Sequence, residues 1–146
     1  MCSSDLATVT VNTSPVITGQ PQGQTLAAGS ALVLTVTATG TPTPTYVWKK
    51  DGTAISGATQ ASYSIASAQP ANAGSYTVEV VNSVGTVSST AAAVTVVSAP
   101  VITKQPLTQT VNLGGRGTLT VTATGTAPLG YQWRRDRKST RLNSSH

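Results

Sequence analysis

The sequence repeats itself at a fixed spacing of 85 residues. The segment Pro-Val-Ile-Thr at residues 15–18 returns at residues 100–103, and Trp48 returns as Trp133, each 85 positions later. An ungapped repeat of this length, with one tryptophan in each copy, indicates a tandem array of small domains. The repeat constrains the architecture of the chain closely and its purpose poorly.

The same spacing places the domain boundaries. Residues 34–41 return letter for letter as residues 119–126, and residues 7–11 match residues 92–96 in the same register. We therefore expect the last strand of a preceding domain with its linker, then one complete domain, then a domain truncated after its third strand. These parts are residues 7–14, 15–97 and 100–135.

The repeat register fails at both ends of the chain. Residues 136–146 resemble an in-frame translation of a common short-read sequencing adapter, and residues 2–6 resemble a translation of its reverse complement. We interpret residues 1–6 and 136–146 as adapter-derived and exclude them, as one excludes a cloning scar. The alternatives are a signal remnant, for which residues 1–6 lack an apolar core, and a basic tail too sparse for nucleic acid. Residues 7–135 are then an interior fragment of a longer protein. Codons at the two ends of the nucleotide read that differ from those of the adapter would refute the adapter interpretation.

The remaining sequence is poor in charge. Between residues 7 and 135 the acidic residues are Asp51 and Glu79 alone, and the six cations do not cluster. Nucleic-acid binding needs clustered Lys and Arg, so we expect no nucleic-acid partner. The only Cys and His lie in the excluded ends, which leaves the redox compartment open. No apolar run reaches the length of a membrane span, so we expect none in this fragment.

Alternation of apolar and polar residues with period two runs through the complete domain, and sustained helical periodicity does not. The side chains that alternation turns inward are Leu32, Leu34, Val36, Ala38, Tyr46, Trp48, Tyr63, Ile65, Tyr76, Val78 and Val80. Asp51-Gly52 is a strong hairpin signal. Short strands with regular turns predict an all-β sandwich or barrel.

A few residues select the kind of sandwich. The run at residues 29–36 is followed twelve residues later by Trp48, then by Asn-Ala-Gly-Ser-Tyr-Thr-Val at residues 72–78 and Asn-Ser-Val-Gly at residues 82–85. This order resembles an intermediate-set immunoglobulin-like domain, particularly the tandem bacterial kind. The resemblance implies an immunoglobulin-like antiparallel β-sandwich in tandem repeats, with the second copy truncated after strand C.

The resemblance also assigns roles to core residues. Trp48 matches the core tryptophan of strand C, and Tyr76 matches the tyrosine-corner residue of strand F. The family's paired cysteines fall on Val36 and Val78, so the domain is expected to fold in any redox state. Asn72 replaces the family's aspartate, which removes a salt bridge but keeps the hydrogen-bonding reach. The expected structural core is Val36, Trp48, Tyr76, Val78, Leu34 and Ile65.

Catalysis is the function class that these residues support least. Acid–base and nucleophilic chemistry need positioned titratable groups, whereas Asp51 falls in a turn and Glu79 faces solvent by alternation. We expect no catalytic, cofactor-binding or metal site, no cofactor and no enzyme activity. Trp48 and Trp133 as sugar-stacking platforms are disfavoured because alternation turns them inward.

Two further motifs have ordinary explanations. The pair Lys49-Lys50, which recurs as Arg134-Arg135, is interpreted as a solvated strand edge that guards against sheet pairing, with ligand binding as the alternative. Asn12-Thr13-Ser14 fits the glycosylation pattern but lies in a linker.

Three functional hypotheses follow. The favoured one is a non-catalytic immunoglobulin-like repeat of a large secreted or cell-surface bacterial protein, extracellular, acting as a spacer and cell-adhesion module. Its partners are neighbouring immunoglobulin-like domains of the same chain, with any protein or glycan ligand unknown. The alternatives are an accessory module of an extracellular hydrolase and a carbohydrate-binding module. Fold alone does not choose among them. We also expect that residues 100–146 do not fold independently, because the truncation leaves an apolar sheet face open.

Overall fold

The computed structural model describes residues 7–135, in two units that divide between Ala99 and Pro100. The segments predicted to be adapter-derived, residues 1–6 and 136–146, lie outside the described residues. Residues 7–12 are exposed and form no strand, with Val9 87% and Val11 72% exposed. The assignment of residues 7–14 to a preceding domain and its linker stays a prediction for residues 7–12, whereas Thr13 and Ser14 belong to the first strand of the complete domain, Thr13–Gly19.

The first unit is built almost entirely from β-strands. Its elements are β1 (Thr13–Gly19), β2 (Gln24–Ala27), β3 (Leu32–Thr35), β4 (Thr37–Thr41), β5 (Thr45–Lys50), β6 (Thr53–Ala54), β7 (Ser62–Ile65), a 3-10 turn (Pro70–Asn72), β8 (Gly74–Val81), β9 (Thr86–Ser88) and β10 (Ala92–Val97). The described residues contain no α-helix. This all-β composition confirms the predicted fold class.

The strands form the two layers of a sandwich. One sheet has the order β2-β10-β8-β5-β6, with β9 also paired to β8. The other layer consists of β1 paired with β4 and β7 paired with β3. Val36 alone separates β3 from β4, and it donates its N–H to the Ala61 carbonyl at 2.9 Å.

One pairing departs from the expected antiparallel pattern. Strand β2 runs parallel to β10, with Leu26 opposite Val96, whereas β1 pairs antiparallel with β4. The chain changes sheets between β1 and β2, where buried Pro21 lacks the donor that a continuous ladder would need. Because the chain keeps its direction through this crossing, β2 lies parallel to the last strand.

The core consists of the side chains that alternation turns inward. Leu34, Val36, Trp48, Tyr76 and Val78 are all buried, at 4% exposure or less. Each large apolar side chain removed from water contributes about 1.5–3 kcal/mol. Ile65 and Tyr63 are half-buried and pack against this cluster, while Ala38 is only half-buried. Val36 and Val78, the positions to which the resemblance assigns paired cysteines, are therefore both in the sandwich interior.

The second unit forms only part of this pattern within its described residues. Strand β11 (Val101–Lys104) pairs with β12 (Thr122–Thr124). The pair Val101–Thr124 repeats the pair Val16–Thr39 of β1 and β4. The strand expected around Trp133 is not formed, and Trp133 is 54% exposed where Trp48 is 0% exposed. The difference is explained by strand pairing. In the first unit β5, which contains Trp48, pairs with β8, whereas the described residues beyond Trp133 contain no strand that could take the place of β8.

Candidate functional site

Asp51 occupies the hairpin turn between β5 and β6, as its Asp-Gly sequence predicts. Its φ is 50° and that of Gly52 is 83°, the left-handed conformations that tight hairpin turns require. Its Oδ1 accepts the Ser75 N–H at 2.9 Å, and its Oδ2 pairs with Lys50 Nζ at 3.0 Å. The Ser75 hydrogen bond and then Lys50 hold the pKa of Asp51 below its ordinary value. An ionised carboxylate bound this way fastens the turn to β8.

Glu79, the other carboxylate, belongs to a separate ion pair. It lies on β8 and accepts from Lys49 Nζ at 2.5 Å. Its side chain lies on the face opposite Tyr76 and Val78, as alternation predicts, but it is half-buried against Lys49. No group of three metal-ligating acids, histidines or cysteines occurs within residues 7–135.

The interpretation of Lys49-Lys50 as an edge guard is wrong. Both lysines lie on a strand that is paired on its two sides. Lys49 is opposite Thr77 on β8 and Ala54 on β6, so neither cation lies on an open edge. Each ammonium group is instead committed to a carboxylate. The pair therefore offers no free basic patch to a ligand.

Three aromatic side chains of the first unit pack in a row, with half-buried Tyr63 between the buried Trp48 and Tyr76. The ring centroids of Trp48 and Tyr63 lie 6.2 Å apart, and those of Tyr63 and Tyr76 lie 5.9 Å apart. Trp48 donates its indole N–H to the Gln60 carbonyl at 2.8 Å. Trp48 is fully buried, so it is unavailable for stacking on a sugar.

The tyrosine corner that the resemblance implies is formed. The hydroxyl of Tyr76 donates to the carbonyl oxygen of Asn72, four residues earlier, at 2.7 Å. Burial is the main cause that raises the pKa of Tyr76, so this donor stays protonated at neutral pH. The side-chain oxygen of Asn72 in turn accepts the Gln69 N–H at 2.7 Å. This bond requires no charge on the side chain, so an asparagine can make it.

The side chain of Asn82 connects three segments of the first unit, a role that the sequence did not indicate. Its side-chain nitrogen donates to the carbonyls of Thr13 at 2.8 Å and Pro42 at 3.0 Å. Its side-chain oxygen accepts from the N–H groups of Val84 at 2.9 Å and Gly85 at 3.1 Å. One amide thus ties the start of β1, the β4–β5 loop and the β8–β9 hairpin together. An asparagine opening a turn signals the local bonds, but no sequence pattern signals the distant ones.

Strand β7 is an open edge of the sandwich. It pairs with β3 on one side, and no strand within residues 7–135 pairs with the other. A shallow groove of about 270 Å³ runs beside this edge, and it is lined by Ser56, Gly57, Ala58, Thr59, Gln60, Ser62, Tyr63 and Ser64. The groove contains hydroxyl, amide and aromatic groups and no charged side chain.

A larger cleft, of about 420 Å³, lies in the second unit. Its lining includes Ile102, Val121, Tyr131 and Trp133. At the repeat spacing these correspond to Ile17, Val36, Tyr46 and Trp48, which are buried or packed against the core of the first unit. The cleft is therefore the uncovered counterpart of a sandwich core. Among the described residues, no helix has the length and apolar character needed to cross a membrane.

The domain resembles known proteins in sequence and in structure. Residues 14–82 match the family model of the immunoglobulin domain. A chimeric titin Z1Z2 carrying an exogenous decorin peptide is 33% identical with a TM-score of 0.55, and the match covers 61% of this chain and 100% of that one. The titin M10–obscurin-like 1 immunoglobulin complex is 26% identical with a TM-score of 0.55, covering 60% and 98%.

A third structure contains consecutive immunoglobulin domains. It is that of Sidekick-1 immunoglobulin domains 1–5, 25% identical with a TM-score of 0.56, and the match covers 61% of this chain and 21% of that one. No curated protein sequence matches the chain. The chain therefore contains a domain of the immunoglobulin family, folded as an immunoglobulin-like β-sandwich. It is a module of the kind found in structural and adhesion proteins.

Proposed function

We propose that this chain is part of a non-catalytic immunoglobulin-like array in a large secreted or cell-surface bacterial protein, where the repeats act as spacers and adhesion modules. The observation that carries the proposal is the linker between consecutive copies. Strand β10 ends at Val97 and β11 begins at Val101, so only Ser98, Ala99 and Pro100 lie between them. Three residues span at most about 10 Å, so each repeat follows the previous one directly.

A spacer also needs repeats that resist deformation, and the packing of the complete domain supports this. Its interior is filled, with Trp48, Tyr76 and Val78 fully buried. Asn82 fastens the loop end from which β1 starts, because it binds Thr13, Pro42 and the hairpin at once. A rigid body with a short, proline-containing linker restricts the angle between neighbours. The consecutive immunoglobulin domains of Sidekick-1 support a tandem arrangement for this chain.

The absence of a catalytic role is part of the proposal. Asp51 and Glu79 are each paired with a lysine, at 3.0 Å and 2.5 Å. A general acid or base must exchange its proton during turnover, whereas Asp51 has its pKa lowered and its oxygens bound to Ser75 and Lys50. The extracellular location is supported by the threonine-rich, weakly charged composition between residues 7 and 135.

The spacer role is tested by the flexibility of two joined repeats. Two copies of residues 13–97 would be linked by the native Ser-Ala-Pro and, as the matched control, by Gly-Gly-Ser of equal length. Small-angle X-ray scattering should give a larger maximum dimension and a narrower range of conformations for the native linker. Equal scattering from the two proteins would contradict the spacer proposal.

A second experiment addresses binding. A glycan array probed with the full chain should show no specific binding, because the first unit's tryptophan is in the core. Specific glycan binding that survives Trp133→Ala would replace the spacer proposal with that of a carbohydrate-binding module.

A further inference from the structure

The main-chain hydrogen-bonding groups on the open side of β7 can be identified from its pairing with β3. Val36 donates to the Ala61 carbonyl, and residues opposite each other in an antiparallel pair alternate between bonded and non-bonded. Leu34–Tyr63 and Leu32–Ile65 are therefore the bonded pairs. The intervening residues, Ser62 and Ser64, direct their N–H and C=O groups away from β3. The open side of β7 thus presents two donors and two acceptors in a row.

This edge lacks the charged residues and prolines that commonly prevent pairing. Natural edge strands are blocked by lysine, by proline or by a covering loop. No charged residue and no proline occur anywhere from Thr53 to Gln69. The opposite sheet ends in β2, which has four residues, and in β6, which has only two. Strand β7 is therefore an edge that an additional strand would meet without electrostatic cost.

We propose that two copies of this chain associate side by side through β7, in an antiparallel pairing about a two-fold axis. In this register Ser62 of one copy faces Ser64 of the other, and each such pair exchanges two N–H···O bonds. Tyr63 faces Tyr63 of the second copy at the axis. The interface is isologous, which is the commonest form of homodimer. Such lateral pairing would place two copies side by side with opposite chain directions, which goes beyond a spacer role.

The second copy is the occupant that the observations favour. The edge is self-complementary. Under two-fold symmetry the N–H and C=O of Ser62 in one copy lie opposite the C=O and N–H of Ser64 in the other. The uncharged segment from residue 53 to 69 places no like charges opposite each other. The groove beside Ser62 and Ser64 leaves room for the side chains of an approaching strand.

Amide exchange measured by NMR tests the pairing in the full chain. In the free protein the amide protons of Ser62 and Ser64 face solvent and should exchange fast. At high protein concentration they should become protected together, at least about tenfold. Exchange rates that stay equal at low and high concentration would overturn the proposal.

A pair of variants locates the interface. Ser64→Pro removes the outward N–H, and with it half of the predicted bonds, while the β3–β7 ladder keeps its donors. Ser64→Ala keeps the N–H and serves as the matched control. Sedimentation should show that Ser64→Pro weakens dimerisation at least about tenfold and that Ser64→Ala leaves it unchanged. Equal melting temperatures of the variants would establish that both fold.

Association through another surface gives a different result. Dimerisation that Ser64→Pro does not weaken would exclude the β7 edge and point to the apolar cleft of the second unit. Concentration-dependent protection of residues 101–104 without protection of Ser62 and Ser64 would overturn the proposal in the same way.

Discussion

Tyr76 anchors the sandwich through a single hydroxyl. Because the hydroxyl donates to the Asn72 carbonyl at 2.7 Å, Tyr76→Phe keeps the ring and removes only the bond. We expect it to lower the free energy of unfolding by about 0.5–1.5 kcal/mol, measured by urea denaturation. Tyr46→Phe is the control, since the Tyr46 hydroxyl makes no hydrogen bond within residues 7–135, and it should change the stability little.

Asn82 holds three chain segments, so its replacement should cost more than that of an ordinary turn residue. Asn82→Ala removes the bonds to Thr13, Pro42, Val84 and Gly85. We expect a loss of about 1–3 kcal/mol, because main-chain groups at the loop end are left without partners. The neighbouring exposed Ser83→Ala is the control. Stability equal to that of the control would show that water replaces the amide without cost.

Asp51 gives the stability a defined dependence on pH. Its folded-state pKa lies below the ordinary value of 3.8 because of Ser75 and Lys50. The unfolded chain therefore binds the proton first, so the contribution of Asp51 is present above pH 4 and is lost as the pH falls through its folded pKa. The difference in unfolding free energy between wild type and Asp51→Asn should shrink between pH 7 and pH 3. A difference that is constant over this range would refute the assignment.

At the scale of strands, alternation was enough to predict which side chains face the core. Leu34, Trp48 and Val78 are buried because the pleat turns every second residue inward. Alternation says nothing about which strands become neighbours. The parallel pairing of β2 with β10 depends on contacts between distant segments. The same is true of the strand that contains Lys49, which pairs with β6 on one side and β8 on the other. The bonds from Asn82 to Thr13 and Pro42 were missed for the same reason.

The unpaired elements of the second unit should be the first to be cleaved. Within residues 7–135, only β11 and β12 are formed after Ala99, and Leu113 is completely exposed. Trypsin should therefore cut at Arg116, which lies in no strand, well before Lys49 and Lys50, which lie in a paired strand. Mass spectrometry of a time course gives the order of cleavage. Equal rates at the two sets of sites would contradict our expectation that residues 100–146 do not fold independently.

Across the whole chain, two copies of one sequence pattern differ in how completely they enclose their tryptophan. The copy that includes β7, β8 and β10 encloses Trp48 completely, while the copy described only as far as residue 135 leaves Trp133 54% exposed. The family resemblance read from the sequence predicted the sandwich and its tyrosine corner, because both depend on a few residues at fixed spacing. The open edge of β7 was not predicted, since it depends on which strands fail to find a neighbour.

Hydrogen exchange along the full chain tests the central claim, that one sealed immunoglobulin-like domain is followed by an open copy. Amides of β3, β5, β8 and β10 should exchange slowly and lose protection together, as one cooperative unit. Those of residues 105–121 and 125–135, which form no strand, should exchange at nearly unprotected rates. Equal protection around Trp48 and around Trp133 would contradict this account.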